Sequence, residues 1–160
     1  KQYETKYYSL IPSNIFGEYD NFNLENGHVI PSLIHKCYIA KKENKPFIIW
    51  GDGESYRELI YSEDVAKICL ESLNVDNMPL KIWAAGVKDY QIKEIVKMIC
   101  DIFDYHNVEY DLSKPNGQRR KTSDKTLFRE YFPNFNFANI DKSLKKTVKW
   151  FINAYPNVRK

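Results

Sequence analysis

The chain has 160 residues, 43% of them hydrophobic and 28% charged, a composition of folded globular domains that excludes disordered and fibrous chains. The formal net charge of +3 is too small to point to nucleic acid, and no run approaches the roughly 18 apolar residues of a membrane-spanning helix, so neither partner is expected. Cys37, Cys69 and Cys100 are an odd number at wide spacings without Cys-x-x-Cys, and they are expected to be reduced core residues of a cytoplasmic protein.

Tyr7 to Ile11 is short, aromatic and β-branched, and it runs into Pro12, which has no N–H for a central ladder; it reads as a strand ending before the proline. Residues 13–28 hold Gly17, Gly27 and many asparagines with no hydrophobic period. They read as a long loop, of a length that compact domains mostly reserve for function. A helix is predicted from about Val29, with Pro31 harmless in its first turn and Leu33, Ile34, Cys37 and Ala40 on one face.

Phe47 to Trp50 reads as a buried strand closed by Gly51-Asp52-Gly53, with Arg57 to Tyr61 returning beside it as a hairpin-like partner. Ser62 then caps a helix to about Leu73 with Val65, Ile68, Cys69 and Leu73 as its inward stripe. Leu80 to Ala84 is a strand, and Ile92 to Phe103 a helix carrying Ile92, Ile95, Val96, Ile99 and Phe103 at helical spacing. Val108 to Tyr110 is extended, and Ser123 precedes a short helix through Phe132. The last helix, about Ile140 to Ala154, is expected to turn Leu144, Val148, Phe151 and Ile152 inward. Strands alternating with helices of this length indicate an α/β fold with crossover units. No Gly-x-Gly-x-x-Gly occurs, so a dinucleotide is not bound here by the usual glycine-rich turn.

Three segments carry candidate chemistry. Asn14 to His28 surrounds three aromatics with polar groups, and His28 stands just before a helix start, where it suits proton transfer but equally suits a cap. Trp50, with Arg57 beyond the glycine turn, offers a flat face for a base and a fork for a phosphate; a core Trp with a surface Arg fits the same spacing. Lys114 to Lys121, KPNGQRRK, reads as a diphosphate clamp or as a solvated basic turn. The three histidines have no metal-ligand spacing, and no metal is expected.

Three stretches taken together resemble one family. IPSNIFGEYDNFNLENGHVIPSLIHK (Ile11 to Lys36), IIWGDGESYRELIYSEDVA (Ile48 to Ala66) and SKPNGQRRKTSD (Ser113 to Asp124) are similar to the C-terminal half of the GDP-L-fucose synthases, NADP-dependent GDP-4-keto-6-deoxy-mannose 3,5-epimerase/4-reductases of the extended short-chain dehydrogenase/reductase family. The terminal KKTVKWFINAYPNVRK resembles that family's last helix, so the resemblance covers nearly the whole chain. Asp20-Asn21-Phe22 followed by Asn26-Gly27-His28-Val29-Ile30-Pro31 is the most specific part.

The resemblance implies an extended Rossmann-type fold of which residues 1–160 form the C-terminal, GDP-sugar-binding portion. It implies that His28 is the acid partner of an upstream cysteine base, and that Trp50 and Arg57 hold the GDP part. Asn14 and Val29 then line the substrate pocket, with Asn14 and His28 also beside the cofactor. Lys121 matches a basic residue of the family's Lys-Pro-x-Gly loop and is assigned to the sugar or diphosphate; Lys36 stands where relatives often carry Arg and is assigned to the nucleotide. The cofactor is NADP, held mainly by an upstream half: the glycine-rich turn, the catalytic Ser and Cys and the Tyr-x-x-x-Lys pair all fall before Lys1. A sequence opening on Lys1 and not on Met is expected to begin partway through a longer protein, the isolated piece to be inactive, and the parent to be a cytoplasmic homodimer. The alternatives are another nucleotide-sugar epimerase or dehydratase of the same family, and a non-catalytic nucleotide-sugar binding module.

Overall fold

The computed structural model describes residues 7–160. It is an α/β structure in which β4 (Tyr56–Tyr61) is the hub. β2 (Asn14–Phe16) runs parallel to one edge of β4, pairing Asn14 with Leu59 and Phe16 with Tyr61. β6 (Asp89–Gln91) is antiparallel on the other edge, and β8 (Arg120–Lys121) pairs Arg57 with Lys121. Because β6 already fills one edge at Tyr56 to Glu58, β8 shares the opposite edge with β2.

Two further parallel pairs flank this sheet. β1 (Ser9–Pro12) pairs with β5 (Lys81–Ala84), and β3 (Phe47–Trp50) pairs with β7 (Val108–Asp111). The expected hairpin between residues 47–50 and 57–61 therefore does not form. β4 is buried through Glu58 to Tyr61 and takes neighbours on both edges, as strands of enclosed sheets do, whereas β3 finds its ladder in β7 some sixty residues later. β1 also extends through Pro12. Ser9 and Ser13 donate their N–H groups to Leu80 and Ala84, so the missing donor of Pro12 falls on the edge away from β5.

The helices match their expected positions with local corrections. α1 (Val29–Glu43) buries Leu33, Ile34, Cys37 and Ala40 as the periodicity predicts. α3 (Ile92–Phe103) opens with a capping box between Gln91 and Glu94, and α5 (Ile140–Ala154) is capped by Asn139, whose side chain accepts from the Lys142 N–H. α1, α3 and α5 close one core over Leu59 and Tyr61; α2 (Ser62–Ser72) and α4 (Thr126–Tyr131) close a second over Ile60, Ile82 and Ala84. Ile152 is exposed on α5, contrary to expectation, because Phe151 already fills the inward position between Phe22, Tyr38 and Tyr155.

α2 departs most from its pattern. Ser62 is its first helical residue and makes no cap, and the buried stripe is Asp64, Ile68 and Ser72 in place of Val65, Ile68, Cys69 and Leu73. Tertiary hydrogen bonds turn the helix: both Asp64 carboxylate oxygens accept from the Ala138 N–H, at 3.2 and 3.0 Å, and Ser72 Oγ meets the Tyr8 hydroxyl while donating to the Cys69 carbonyl. Cys69 is thus exposed, whereas Cys37 and Cys100 lie together in the core, where the Cys100 contact and burial push the Cys37 thiol up. Among the described residues no helix is long and apolar enough to cross a membrane.

Two measurements test this rotation. Ile68 is 0% and Leu73 is 73% exposed, so Ile68→Ala should cost about 2–5 kcal/mol in urea unfolding and Leu73→Ala less than about 0.5 kcal/mol; similar losses at both would contradict the rotated stripe. Burial raises the Asp64 pKa above its ordinary 3.8, so the folded chain holds that proton longer than the unfolded one. Stability relative to Asp64→Asn should therefore fall as pH rises from 3.8 through the raised value, which paired urea titrations at acid and neutral pH will read.

Candidate functional site

The gap that β8 and β2 leave along their shared edge of β4 is where candidate residues converge. Lys121 ends β8 and Asn14 begins β2, with Glu58 between their partners Arg57 and Leu59. A cavity of about 310 Å³ opens there, lined by Ser13, Asn14, Glu58, Trp83, Lys121 and Ser123 among others. Asn14 is held in place by donating from Nδ2 to the Glu58 carbonyl at 2.7 Å. The Glu58 carboxylate, 2% exposed, accepts at Oε2 from the Ser123 N–H and hydroxyl at 2.9 and 2.6 Å, and it faces the Lys125 ammonium at 2.9 Å through Oε1. Ser13 Oγ, also buried, has no hydrogen-bond partner among the described residues.

Trp50 and Lys36 form a second cluster. Trp50 is 54% exposed at the end of β3, and the Lys36 ammonium, reaching from α1, stands 4.3 Å from its ring centroid, with Lys114 at 5.9 Å. Partial burial holds the Lys36 pKa below its ordinary value. These two residues line a shallow, largely apolar cleft of about 320 Å³ with Leu24, Ile39 and Ile48. Beyond Trp50 the chain turns through Gly51 and Gly53, both at positive φ. Asn116 clamps this turn to the basic loop, accepting the Asp52 N–H at 2.8 Å and donating to the Asp52 carboxylate at 2.7 Å. Arg57 braces the same loop from β4, donating through Nη1 to the Tyr56 and Gln118 carbonyls at 2.7 and 2.9 Å.

His28 is not among the lining residues of either cleft. It is the N-cap residue of α1 without a capping side-chain bond; its side chain is 75% exposed, and Nδ1 lies 3.6 Å from Asp20 Oδ1. The loop before it is rigidly anchored: Phe22 donates its N–H to Arg159, and buried His35 donates from Nδ1 to the Phe22 carbonyl at 2.7 Å. Val29 is half-buried against the first core and lines neither cleft. A larger polar cavity, about 630 Å³, is lined by Asp52, Glu54, Gln91 and, from the basic segment 114–121, Asn116, Gly117 and Arg119, but not by Asn14, His28, Val29, Lys36, Trp50, Arg57 or Lys121. Its carboxylates are already engaged, Asp52 by Asn116 and Glu54 by Gln91 and Lys93. Among the described residues no cluster of His, Cys, Asp or Glu could hold a metal ion.

Residues 1–86 match the model of the NAD dependent epimerase/dehydratase family, which is more than half of the chain. The chain belongs to that family. Within it, the chain is 36% identical over its whole length to the GDP-L-fucose synthase of Dictyostelium discoideum and 39% identical over 96% of its length to the GDP-L-colitose synthase of Yersinia pseudotuberculosis. It covers 51% of each, and so spans about half the length of the curated relatives it matches. A solved GDP-L-fucose synthetase from Naegleria fowleri bound to NADP superposes with a TM-score of 0.88 at 34% identity, over 96% of this chain and 49% of that one.

Glu58, Ser123 and Trp83, which line the cavity with Asn14 and Lys121, and Lys125, which pairs with Glu58, are residues that sequence reasoning missed. Glu58 did leave a signal, a carboxylate directly before the apolar run Leu59 to Tyr61 of its strand, while Ser123 and Lys125 depend on a contact across 65 or more positions and left none. The clamp between the glycine turn and the basic loop is directly testable. A Cβ on Gly51 would stand 2.1 Å from Asn116 Oδ1 on a backbone with φ of +76°. Gly51→Ala should destabilise the chain by more than about 1 kcal/mol and speed limited proteolysis within residues 112–121; an unchanged cleavage rate would show the loop is held otherwise.

Proposed function

We propose that this chain is the GDP-sugar-binding portion of an NADP-dependent epimerase/reductase that converts GDP-4-keto-6-deoxy-D-mannose to GDP-L-fucose. The observation that carries the reading is the placement of Asn14 and Lys121 in one cavity on β4, with Arg57 paired to Lys121 in register and the Trp50–Lys36 cluster on β3. Its support is the similarity of this chain, along nearly its whole length, to about half of proteins named for that synthase.

In this reading Trp50 stacks on the guanine, and Arg57, Lys36 and Lys121 neutralise the diphosphate. A 4-keto group acidifies the C3 and C5 protons of the sugar, so each centre inverts through an enolate when a base removes the proton from one face and His28 returns one to the other. Asp20 Oδ1 lies 3.6 Å from Nδ1, so in this reading Nε2 is the nitrogen turned to the sugar. The base lies outside this chain, as does the glycine-rich turn that would hold the cofactor phosphates. What fits the cofactor here is the C-terminal end of parallel strand β1, where the unpartnered Ser13 hydroxyl and Asn14 would meet the nicotinamide end. NADPH supplies the hydride that reduces the C4 ketone. The parent enzyme is in this reading a cytoplasmic homodimer.

A second reading, in which the sugar is a different GDP-linked keto-deoxyhexose, draws on the 39% identity to the GDP-L-colitose synthase. Both readings share the GDP part, and turnover of the two keto-sugars by the parent enzyme separates them. The GDP assignment is tested by calorimetric titration of the chain with GDP, UDP and NADP. GDP should bind at least tenfold more tightly than the other two, and Trp50→Ala and Arg57→Ala should each weaken it about tenfold or more. Equal affinity for UDP and GDP, or GDP binding indifferent to both substitutions, would overturn it.

A further inference from the structure

We propose that Glu58 is the positioning residue of the cavity, setting Lys121 and Asn14 at their mutual distance from inside β4; the inference rests on the assignment of that cavity to the GDP-sugar. β8 and β2 both lean on one edge of β4, yet their ladders stop at Arg57 and resume at Leu59. Glu58 therefore stands at the one position on this edge where neither neighbour supplies a ladder pair. Its main chain and side chain serve the two sides of the gap separately. The carbonyl receives Asn14 Nδ2, which fixes the start of β2. The carboxylate receives the Ser123 N–H and hydroxyl at Oε2 and pairs by charge with the Lys125 ammonium 2.9 Å from Oε1, which fixes the segment leaving Lys121.

The chemistry favours positioning over a direct role. Both hydrogen bonds to the carboxylate come from Ser123 at Oε2 and the facing charge is Lys125, 2.9 Å from Oε1, and a carboxylate so held and so buried would repel a diphosphate if it faced one. A two-residue strand of charged residues has little propensity to be a strand, and only Tyr56 and Arg57 pair with it. Without the carboxylate, the end of β8 would be fixed by those pairs alone, and Lys121 would sample positions its long side chain cannot correct. The Lys125 side chain is mostly buried as well and extends toward the Val87 carbonyl, so the clasp also ties the basic loop to the far side of the sheet.

The test has a ligand-free arm and a ligand arm. In the ligand-free chain, Glu58→Gln should accelerate hydrogen exchange of the Ser123 amide and its neighbours at least tenfold, while exchange in α3 and α5 stays unchanged. In GDP-sugar titrations, Glu58→Gln should weaken binding about tenfold in the wild-type background and change it less than twofold in a Lys121→Ala background, because a residue acting through Lys121 has nothing left to act on. Ser123→Ala, which leaves both buried charges paired, should show the same pattern at about threefold and covers the case in which Glu58→Gln does not fold. Equal losses in both backgrounds, or faster exchange spread over the whole chain, would assign Glu58 to stability alone and overturn the proposal. If the wild-type chain binds no GDP-sugar, the functional reading falls; the exchange arm still decides whether Glu58 sets the position of β8.

Discussion

A single carboxylate inside the central strand is what the arrangement of the cavity depends on. Strands buried on both sides ordinarily carry branched hydrocarbon at every position, because an isolated charge there is far from water. Glu58 is tolerated because Oε2 accepts from the Ser123 N–H and hydroxyl, while the Lys125 ammonium balances its charge from 2.9 Å beside Oε1, which has no hydrogen-bond partner among the described residues. Such an ion pair adds little net stability compared with a hydrocarbon of the same shape, but it is demanding about geometry, since a displaced partner leaves a buried charge alone. The consequence is directional: the segment from Lys121 to Lys125 has one place to go.

The same logic of cross-chain clamps recurs at the other cleft. Trp50 ends a strand whose partner is β7, and the turn after it is closed by Asn116 from the loop that β7 leads into. Arg57, on the next strand, braces that loop at Gln118. A loop rich in lysine and arginine would by itself spread out under mutual repulsion. Here it is pinned at the Asn116 side chain and carbonyl and at the Gln118 carbonyl by neutral and charge-assisted hydrogen bonds, and of its basic residues only Arg120, with Asp89, spends its charge in a salt bridge among the described residues. A concentrated positive patch next to an exposed indole is the chemistry that a nucleoside diphosphate requires.

Local pattern was sufficient for much of the architecture. α1 and α3 bury the faces that their 3.6-residue periods mark, because both pack on a broad apolar surface that rewards every residue of the stripe. α2 does not follow its local pattern. Its inward face is chosen by the hydrogen bonds of Asp64 and Ser72, and a polar residue recruited by a distant backbone N–H is invisible to a hydrophobic count. β2, β6 and β8 were likewise unreadable, being two or three residues long with Asn, Asp, Gln, Arg or Lys in each; they are strands only because β4 lies beside them. The hairpin misreading has the same root, for a glycine turn announces a change of direction and not the strand to which the chain returns.

The sequence by itself determined the α/β class, the long helices, the loop before His28 and the residue types of the site, since each rests on chemistry contained within a few neighbouring positions. It also carried the family resemblance through Ile11 to Lys36, Ile48 to Ala66 and Ser113 to Asp124. Only the tertiary structure decided which of those residues meet. It put Asn14 and Lys121, more than a hundred positions apart, on either side of Glu58, stacked Lys36 on Trp50, and left His28 exposed at a helix N-terminus. The physical reason is that pairing along β4 and satisfaction of its buried charge are long-range conditions, met by contacts that no local window of the chain contains.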